Sequence, residues 1–166
     1  MLSIVRSLVM QASIIDRLND LLAEAGCGED LLSRFCRELR AGVPHYNWVG
    51  VYLLEEAGTM LVLRDWDGPA ATEHVRIPVG QGICGLAARE AQTIIVDDVR
   101  KDPRYLQCFL QTHAEIVVPI FSGGKVIGEI DIDSDQVAAF NATDRIFLEW
   151  CAGKLGAKLD GQVMTG

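Results

Sequence analysis

The run Gly128-Glu-Ile-Asp-Ile-Asp-Ser134 carries two acids, Asp131 and Asp133, at strand spacing. Alternation along a strand sends both to one face and Ile130 and Ile132 to the other, with the two acid-bearing backbone positions about 6–7 Å apart. Glu115 opens the preceding apolar run, and an antiparallel pair turning at Gly123-Gly124 brings it near both aspartates. Carboxylates so close repel one another, and enclosing them raises the cost. A strand with no use for them would more readily carry Thr or Val. Two readings stand at this point. The acids form a polar cup for a cation such as an ammonium group, one of them keeping its proton, or they are a solvated strand end entering a turn. No Lys or Arg stands between Val126 and Ser134 to make an ordinary mixed surface.

The second source of chemistry is thiol. There are five cysteines, Cys27, Cys36, Cys84, Cys108 and Cys151, an odd number with no CxxC pair. With no secretory signal in view, a cytoplasmic location with reduced thiols is expected. Cys108 lies seven residues before Glu115, in the stretch that feeds its strand, and could hang over the acids. Cys84 follows a glycine turn and opens a short helix, where the helix dipole is expected to lower its pKa. The pair reads as a nucleophile with a resolving thiol, or as two inert core cysteines. Cys27, Cys36 and Cys151 fall in helical segments and are expected in the core. Trp48 and Tyr52 share a strand face, as core or as an aromatic wall for a small ligand. His45, His74 and His113 are scattered, no metal-ligand spacing is present, and GxSxG, P-loop and HExxH motifs are absent. No metal is expected.

The elements that must position these residues follow from periodicity. Ile14, Ile15, Leu18, Leu21 and Leu22 make one helical stripe, and Leu31, Leu32, Phe35, Cys36 and Leu39 another. Gly26 and Gly28 separate them, and Gly42 with Pro44 ends the second. Residues 48–54, 60–64, 73–78 and 92–96 read as strands, and 84–90 as a short helix. Residues 97–111 read as a long loop or short helix. Residues 115–121 and 126–133 form a hairpin, and an amphipathic helix capped by Asn141 or Thr143 closes the chain over 140–160. Strands joined by short connections predict an α+β fold, an antiparallel sheet of about six strands with the N- and C-terminal helices on one face and loops on the other. The cluster Gly80-Gln-Gly-Ile-Cys-Gly85 does not have the spacing of a Rossmann dinucleotide site.

At 166 residues the chain is expected to form one domain, and its net charge of -8 makes nucleic acid and anionic membrane poor partners. No apolar run reaches the length of a spanning helix, and the start, MLSIVRSLVM, reads as a helix start rather than a signal peptide.

These motifs together resemble the GAF domain over nearly the whole chain and, within it, the free methionine-(R)-sulfoxide reductases. The matching residues are Asn47-Trp-Val-Gly-Val-Tyr-Leu-Leu54, Val75-Arg-Ile-Pro-Val-Gly-Gln-Gly-Ile-Cys-Gly85, Asp98-Val99, Glu115-Ile-Val-Val-Pro-Ile120, Val126-Ile-Gly-Glu-Ile-Asp-Ile-Asp-Ser134 and the Phe140 to Asp144 segment. The resemblance implies one GAF domain over 1–166, with helices over 1–42, sheet and pocket loops over 47–134, and a closing helix over 140–160. It implies thiol-dependent reduction of free methionine-(R)-sulfoxide. Cys108 matches the nucleophile, and Glu115, Asp131 and Asp133 match the essential acids. Trp48 matches the tryptophan against the sulfoxide methyl, with Tyr52 beside it on the substrate wall. Cys84 matches a second cysteine that can enter a disulfide during turnover. No organic cofactor is implied; the partners are a free amino-acid sulfoxide and an external, thioredoxin-like thiol. The apolar stripes of residues 1–40 and 144–159 allow a homodimer. Two places depart from the family pattern: His74 stands where a further cysteine is usual, and Asp102 to Phe109 stands where a GHIACD-like loop is usual. The alternative is a non-catalytic GAF sensor or interaction module. Cyclic nucleotide is disfavoured as its ligand by the acidic cup and by the missing NKxFxxxDE signature.

Overall fold

A computed structural model describes residues 2–24 and 30–163. The first helix, α1, runs Leu2–Ala23 and the second, α2, Leu31–Gly42. Gly26, Gly28 and Cys27 lie outside the described residues. Six strands follow, β1 Trp48–Glu55, β2 Met60–Asp67, β3 Arg76–Pro78, β4 Ile94–Val96, β5 Ala114–Ser122 and β6 Lys125–Ser134. A short helix, α3 Gly82–Glu90, joins β3 to β4, and α4 Ala142–Val163 closes the chain. The sheet order is β3-β2-β1-β6-β5-β4, and every pairing is antiparallel. The α+β expectation holds. Two strands are shorter than expected, β3 beginning at Arg76 rather than 73 and β4 at Ile94 rather than 92, while α3 begins two residues earlier than expected, at Gly82. Residues 97–111 are mostly loop, with one 3-10 turn over Val99–Lys101.

Strand alternation divides the apolar side chains between two faces. Val49 and Val51 of β1, Ile116, Val118 and Ile120 of β5, and Ile130 and Ile132 of β6 pack with Ile14, Leu18, Phe35, Leu39, Leu148 and Leu155 of α1, α2 and α4. Cys36 and Cys151 are fully buried in this layer, as ordinary core thiols. On the opposite face Trp48, Tyr52, Leu61, Ile77, Ile83, Val96 and Val117 gather under α3 and under the 97–111 loop, whose Tyr105, Leu106 and Phe109 pack on them. The helix face is therefore dry core, and the other face is the one with loops over it.

The N-terminus of α4 is a reciprocal cap. Asn141 Oδ1 accepts from the backbone N–H of Thr143 at 2.8 Å and of Asp144 at 3.3 Å, and Asp144 Oδ2 accepts from the Asn141 N–H at 3.0 Å. Asn141, not Thr143, is the capping residue. Tyr46 Oη donates to Asp144 Oδ1 at 2.8 Å and ties the helix start to the end of the α2–β1 connection.

The turn entering α3 depends on close backbone approach. A methyl group on Gly85 would stand 2.5 Å from the Pro78 carbonyl oxygen and 2.9 Å from the Gly80 nitrogen, whose N–H donates to the Gly85 carbonyl at 2.7 Å. Backbone cannot yield as a flexible side chain would, so Gly85→Ala is expected to destabilise the chain by about 1–3 kcal/mol. Chemical denaturation monitored by tryptophan fluorescence measures it.

Candidate functional site

Register assembles the acids. On β5 and β6, Glu115 pairs directly with Asp133, Val117 with Asp131, and Pro119 with Glu129. On the other side of β6, β1 sets Trp48 across from Asp133, Gly50 across from Asp131 and Tyr52 across from Glu129. All of these acids are buried: Glu115 is 3% exposed, Glu129 0%, Asp131 1% and Asp133 2%. The solvated-strand-end reading is thereby excluded. Among the described residues, Glu115 Oε2, both oxygens of Glu129, Asp131 Oδ1 and both oxygens of Asp133 have no hydrogen-bond partner. Buried polar groups are normally paired, so this many orphans in one place is a marked departure.

Glu129 is a fourth acid of the cluster, beyond the three marked by the sequence analysis. It stands on the same alternation as Asp131 and Asp133, two residues before the first of them. The run of three acids at period two is the signal.

Burial pushes every one of these carboxyls up. Glu115 lies well above its ordinary range because it is desolvated and because Asp131 and Asp133 are beside it. Glu129 and Asp133 are raised by burial and then by Asp131. Asp131 is pushed up to about 6 by burial, with its neighbours Glu115 and Cys84 pulling the other way. Four carboxyls with no cation among them cannot all be ionised, so the cluster holds protons.

Cys84 does not behave as the helix-dipole argument expects. It is the third residue of α3, but burial and then the negative charges of Asp131, Glu129 and Glu115 raise its pKa well above the ordinary thiol value. Desolvation and like charge at contact range outweigh half a charge of helix dipole. Its Sγ–H points to Glu115 Oε1 at 3.8 Å.

Cys108 lies in the loop between β4 and β5 and is partly exposed. Its backbone N–H donates to Tyr105 Oη at 3.3 Å and its Sγ–H to the Leu106 carbonyl at 3.4 Å. Burial raises its pKa, and the charges that add to this are Asp131, Asp133 and Glu115, while Thr72 lowers it. Cys108 therefore stands within the field of the same three acids, and its resting state is the thiol. Thr72, 7% exposed, carries no sequence signal that marks it; it comes to Cys108 only because the loop after β2 folds across.

Trp48 lies 2% exposed at the edge of the cluster, its Nε1–H donating to the Ala70 carbonyl at 3.1 Å. Its ring stacks on Trp66 at 6.2 Å between centroids and meets Phe109 at 5.8 Å. The absence of a side chain at Gly50 is what admits it, since a Cβ there would fall 2.3 Å from the indole. Trp48, Phe109, Asp133, Asn47, Thr112 and Ala70 are among the residues lining a cavity of about 390 Å³, which meets the acid cluster at Asp133. Tyr52 is fully buried beneath, its hydroxyl donating to the His74 carbonyl at 2.9 Å.

The histidines are engaged elsewhere. His45 Nε2 pairs with Asp144 at 2.9 Å, His74 Nε2 with the Gln107 carbonyl at 3.1 Å, and His113 Nδ1 with the Asp135 carbonyl at 2.7 Å. His74 thus ties the loop that carries Thr72 to the loop that carries Cys108.

Among known sequences, the family model described as "GAF domain" matches residues 28–159. GAF domain-containing protein A of Dictyostelium discoideum is 38% identical over 104 residues, which are 63% of this chain and 64% of that protein. A free methionine-R-sulfoxide reductase of Saccharomyces cerevisiae is 40% identical over 105 residues, 62% of this chain and 57% of the relative. The matched region therefore spans under two thirds of the length of either relative. The solved structure of a free methionine-R-sulfoxide reductase from Neisseria meningitidis in complex with its substrate superposes with a TM-score of 0.86 at 31% identity, covering 94% of this chain and 92% of that one.

Proposed function

The chain belongs to the GAF domain family, and from the thiol and acids gathered on one face of its sheet we propose that it reduces free methionine-(R)-sulfoxide to methionine at the expense of thiols. The observation that carries this reading is geometric: register gathers Glu115, Asp131 and Asp133, all buried, on neighbouring strands with Trp48 directly across from Asp133, on the sheet face covered by the loop that carries Cys108. Relatives named for this activity, in sequence and in solved structure, support it.

The chemistry follows from what sulfoxide reduction requires. A thiol sulfur attacks a sulfoxide sulfur only as the departing oxygen is protonated or tightly hydrogen-bonded. Crowded, desolvated carboxyls provide such a proton at neutral pH. An ionised member of the same set pairs with the substrate's α-ammonium group, which a methionine inside a peptide lacks, so the free amino acid is selected. Trp48 packs on the S-methyl group. The Cys108 thiol and the sulfoxide give methionine and a sulfenic acid on Cys108: the substrate sulfur gains two electrons, and the cysteine sulfur loses them and takes the oxygen. A second thiol, Cys84 or an external one, condenses with the sulfenic acid to form a disulfide and release water. An external, thioredoxin-like dithiol then restores both thiols. His74 cannot supply a sulfur at the place where the family usually has a third cysteine, so recycling depends on these routes.

Resting Cys108 is held as the thiol by burial and by the acids around it. This favours a second reading, ligand binding without turnover. Incubation with free methionine-(R)-sulfoxide and dithiothreitol separates the two. The reductase reading expects methionine to form from the R epimer and not from the S epimer. A raised melting temperature without methionine would instead indicate a sensor.

Trp48→Ala is expected to raise KM for the sulfoxide about tenfold, the equivalent of about 1.4 kcal/mol of lost aromatic contact, with a smaller change in kcat. Steady-state kinetics on the R epimer measures it.

A further inference from the structure

Two of the buried acids and the Cys84 thiol are arranged as donors. Cys84 Sγ, a carboxylate oxygen of Glu115 and one of Asp131 all lie within 4.8 Å of one another. The sulfur stands 3.8 Å from Glu115 Oε1. In a tetrahedral zinc site with Zn–S about 2.3 Å and Zn–O about 2.0 Å, neighbouring sulfur and oxygen donors are about 3.5 Å apart and two oxygens about 3.3 Å. The donor separations in the cluster, 3.8 Å for Cys84 Sγ to Glu115 Oε1 and at most 4.8 Å for any pair, are slightly wider than these. None of the three is spread over the surface: Cys84 is 5%, Glu115 3% and Asp131 1% exposed. Glu115 Oε2 and Asp131 Oδ1 are moreover without partners, as is Glu129 beside them. Sequence spacing conceals the set, because residues 84, 115 and 131 meet only through α3, β5 and β6.

We propose that Cys84, Glu115 and Asp131 form a site for a borderline-soft divalent cation, zinc, which competes with the substrate's ammonium group and thereby inhibits the reductase. A thiolate donor with two carboxylates and an open fourth position suits zinc, whereas magnesium and calcium take oxygen donors in larger number. A bound dication offsets the like-charge crowding that the acids otherwise endure. The cavity lined by Trp48, Phe109 and Asp133 reaches the acid face of β6 two residues from Asp131. Binding releases to solvent the thiol proton of Cys84 and whatever proton Glu115 or Asp131 holds. The inhibitory half of the proposal rests on the reductase reading; the binding half does not.

Equilibrium dialysis of the reduced full chain against zinc, with excess magnesium present, tests it without turnover. One zinc per chain is expected in the wild type and in Cys108→Ser, with affinity at least tenfold weaker in Cys84→Ser and in Asp131→Asn. Melting curves on each variant confirm that it is folded. Cobalt in place of zinc is expected to give a thiolate-to-metal charge-transfer band that survives in Cys108→Ser and disappears in Cys84→Ser. In the turnover assay zinc is expected to raise apparent KM and leave kcat unchanged. Failure of the wild type to retain zinc, equal retention by Cys84→Ser, or a cobalt band that follows Cys108 would each overturn the site. Zinc held through Cys84 in a chain that reduces no sulfoxide would support the site and overturn the reductase reading. Sulfoxide turnover in a chain that holds no zinc would do the reverse.

Discussion

Cys108→Ser is expected to lower reduction of free methionine-(R)-sulfoxide by about 10³-fold or more, because on the proposed mechanism the Cys108 sulfur takes the oxygen and a hydroxyl does not. Cys84 is no substitute: it is more deeply buried, and its thiol is raised by Asp131, Glu129 and Glu115 together. The same substitution removes little packing, since Cys108 is a partly exposed loop residue whose Sγ–H donates to a backbone carbonyl, with Thr72 beside it. A hydroxyl keeps that bond. The melting temperature is therefore expected to change by less than about 3 °C, within the range of a neutral replacement in a chain of this size. Loss of turnover with an unchanged melting curve separates chemistry from folding. Retention of more than a tenth of the wild-type rate would remove Cys108 from the reaction.

Asp131→Asn is expected to act in opposite directions on activity and stability. Asp131 is among the charges that raise Glu115, Glu129, Asp133, Cys84 and Cys108, so it is the common source of strain in the cluster. Making it neutral relieves them all. A stabilisation of about 1–2 kcal/mol at pH 7 follows, or about 2–8 °C in melting temperature. The sign is set by its own titration. Its folded pKa, about 6, lies above the unfolded aspartate value of about 3.9, so its contribution to stability is present in full below that unfolded value and is lost as pH rises through about 6. The wild type is expected to lose more stability than the variant between pH 5 and pH 8, by about a few tenths to 2 kcal/mol. On the proposed mechanism the variant breaks the carboxylate set that would pair with the ammonium group and supply the proton, and kcat/KM is expected to fall about 10²–10³-fold. Thermal melting across the pH range, run beside steady-state kinetics, measures both. A variant that is less stable at pH 7 than the wild type would contradict the electrostatic description of the pocket.

The fold was readable wherever period and turn chemistry agreed. The stripe of Phe35, Cys36 and Leu39 marks the buried face of α2, and Gly123-Gly124 marks the β5–β6 turn, so Glu115 could be set beside Asp133 before any coordinates. Alternation alone separates Ile130 and Ile132 from the acids. What stayed hidden depended on long-range approach. Burial of the acids cannot be read from β6, because α3 and the 97–111 loop, which cover that face, are short-range signals with no stated destination. The same covering reverses the expectation for Cys84: its place in α3 argues for an acidic thiol, and its distance from Glu115 argues for the contrary, with contact winning over dipole. Thr72 and Phe109 reach the pocket only through loop geometry, for which the sequence carries no period. Glu129 was within reach of the alternation argument and is the one residue of the cluster that a stricter count would have included.

The claim at the centre is that Cys108 takes the sulfoxide oxygen. Mixing the fully reduced chain with one equivalent of free methionine-(R)-sulfoxide, with no reductant, and then quantifying methionine while mapping cysteine oxidation by mass spectrometry, tests it most directly. The account predicts close to one methionine per chain, with Cys108 recovered as a trapped sulfenic acid or in a disulfide. No methionine, or methionine formed while Cys108 remains a free thiol, would contradict it.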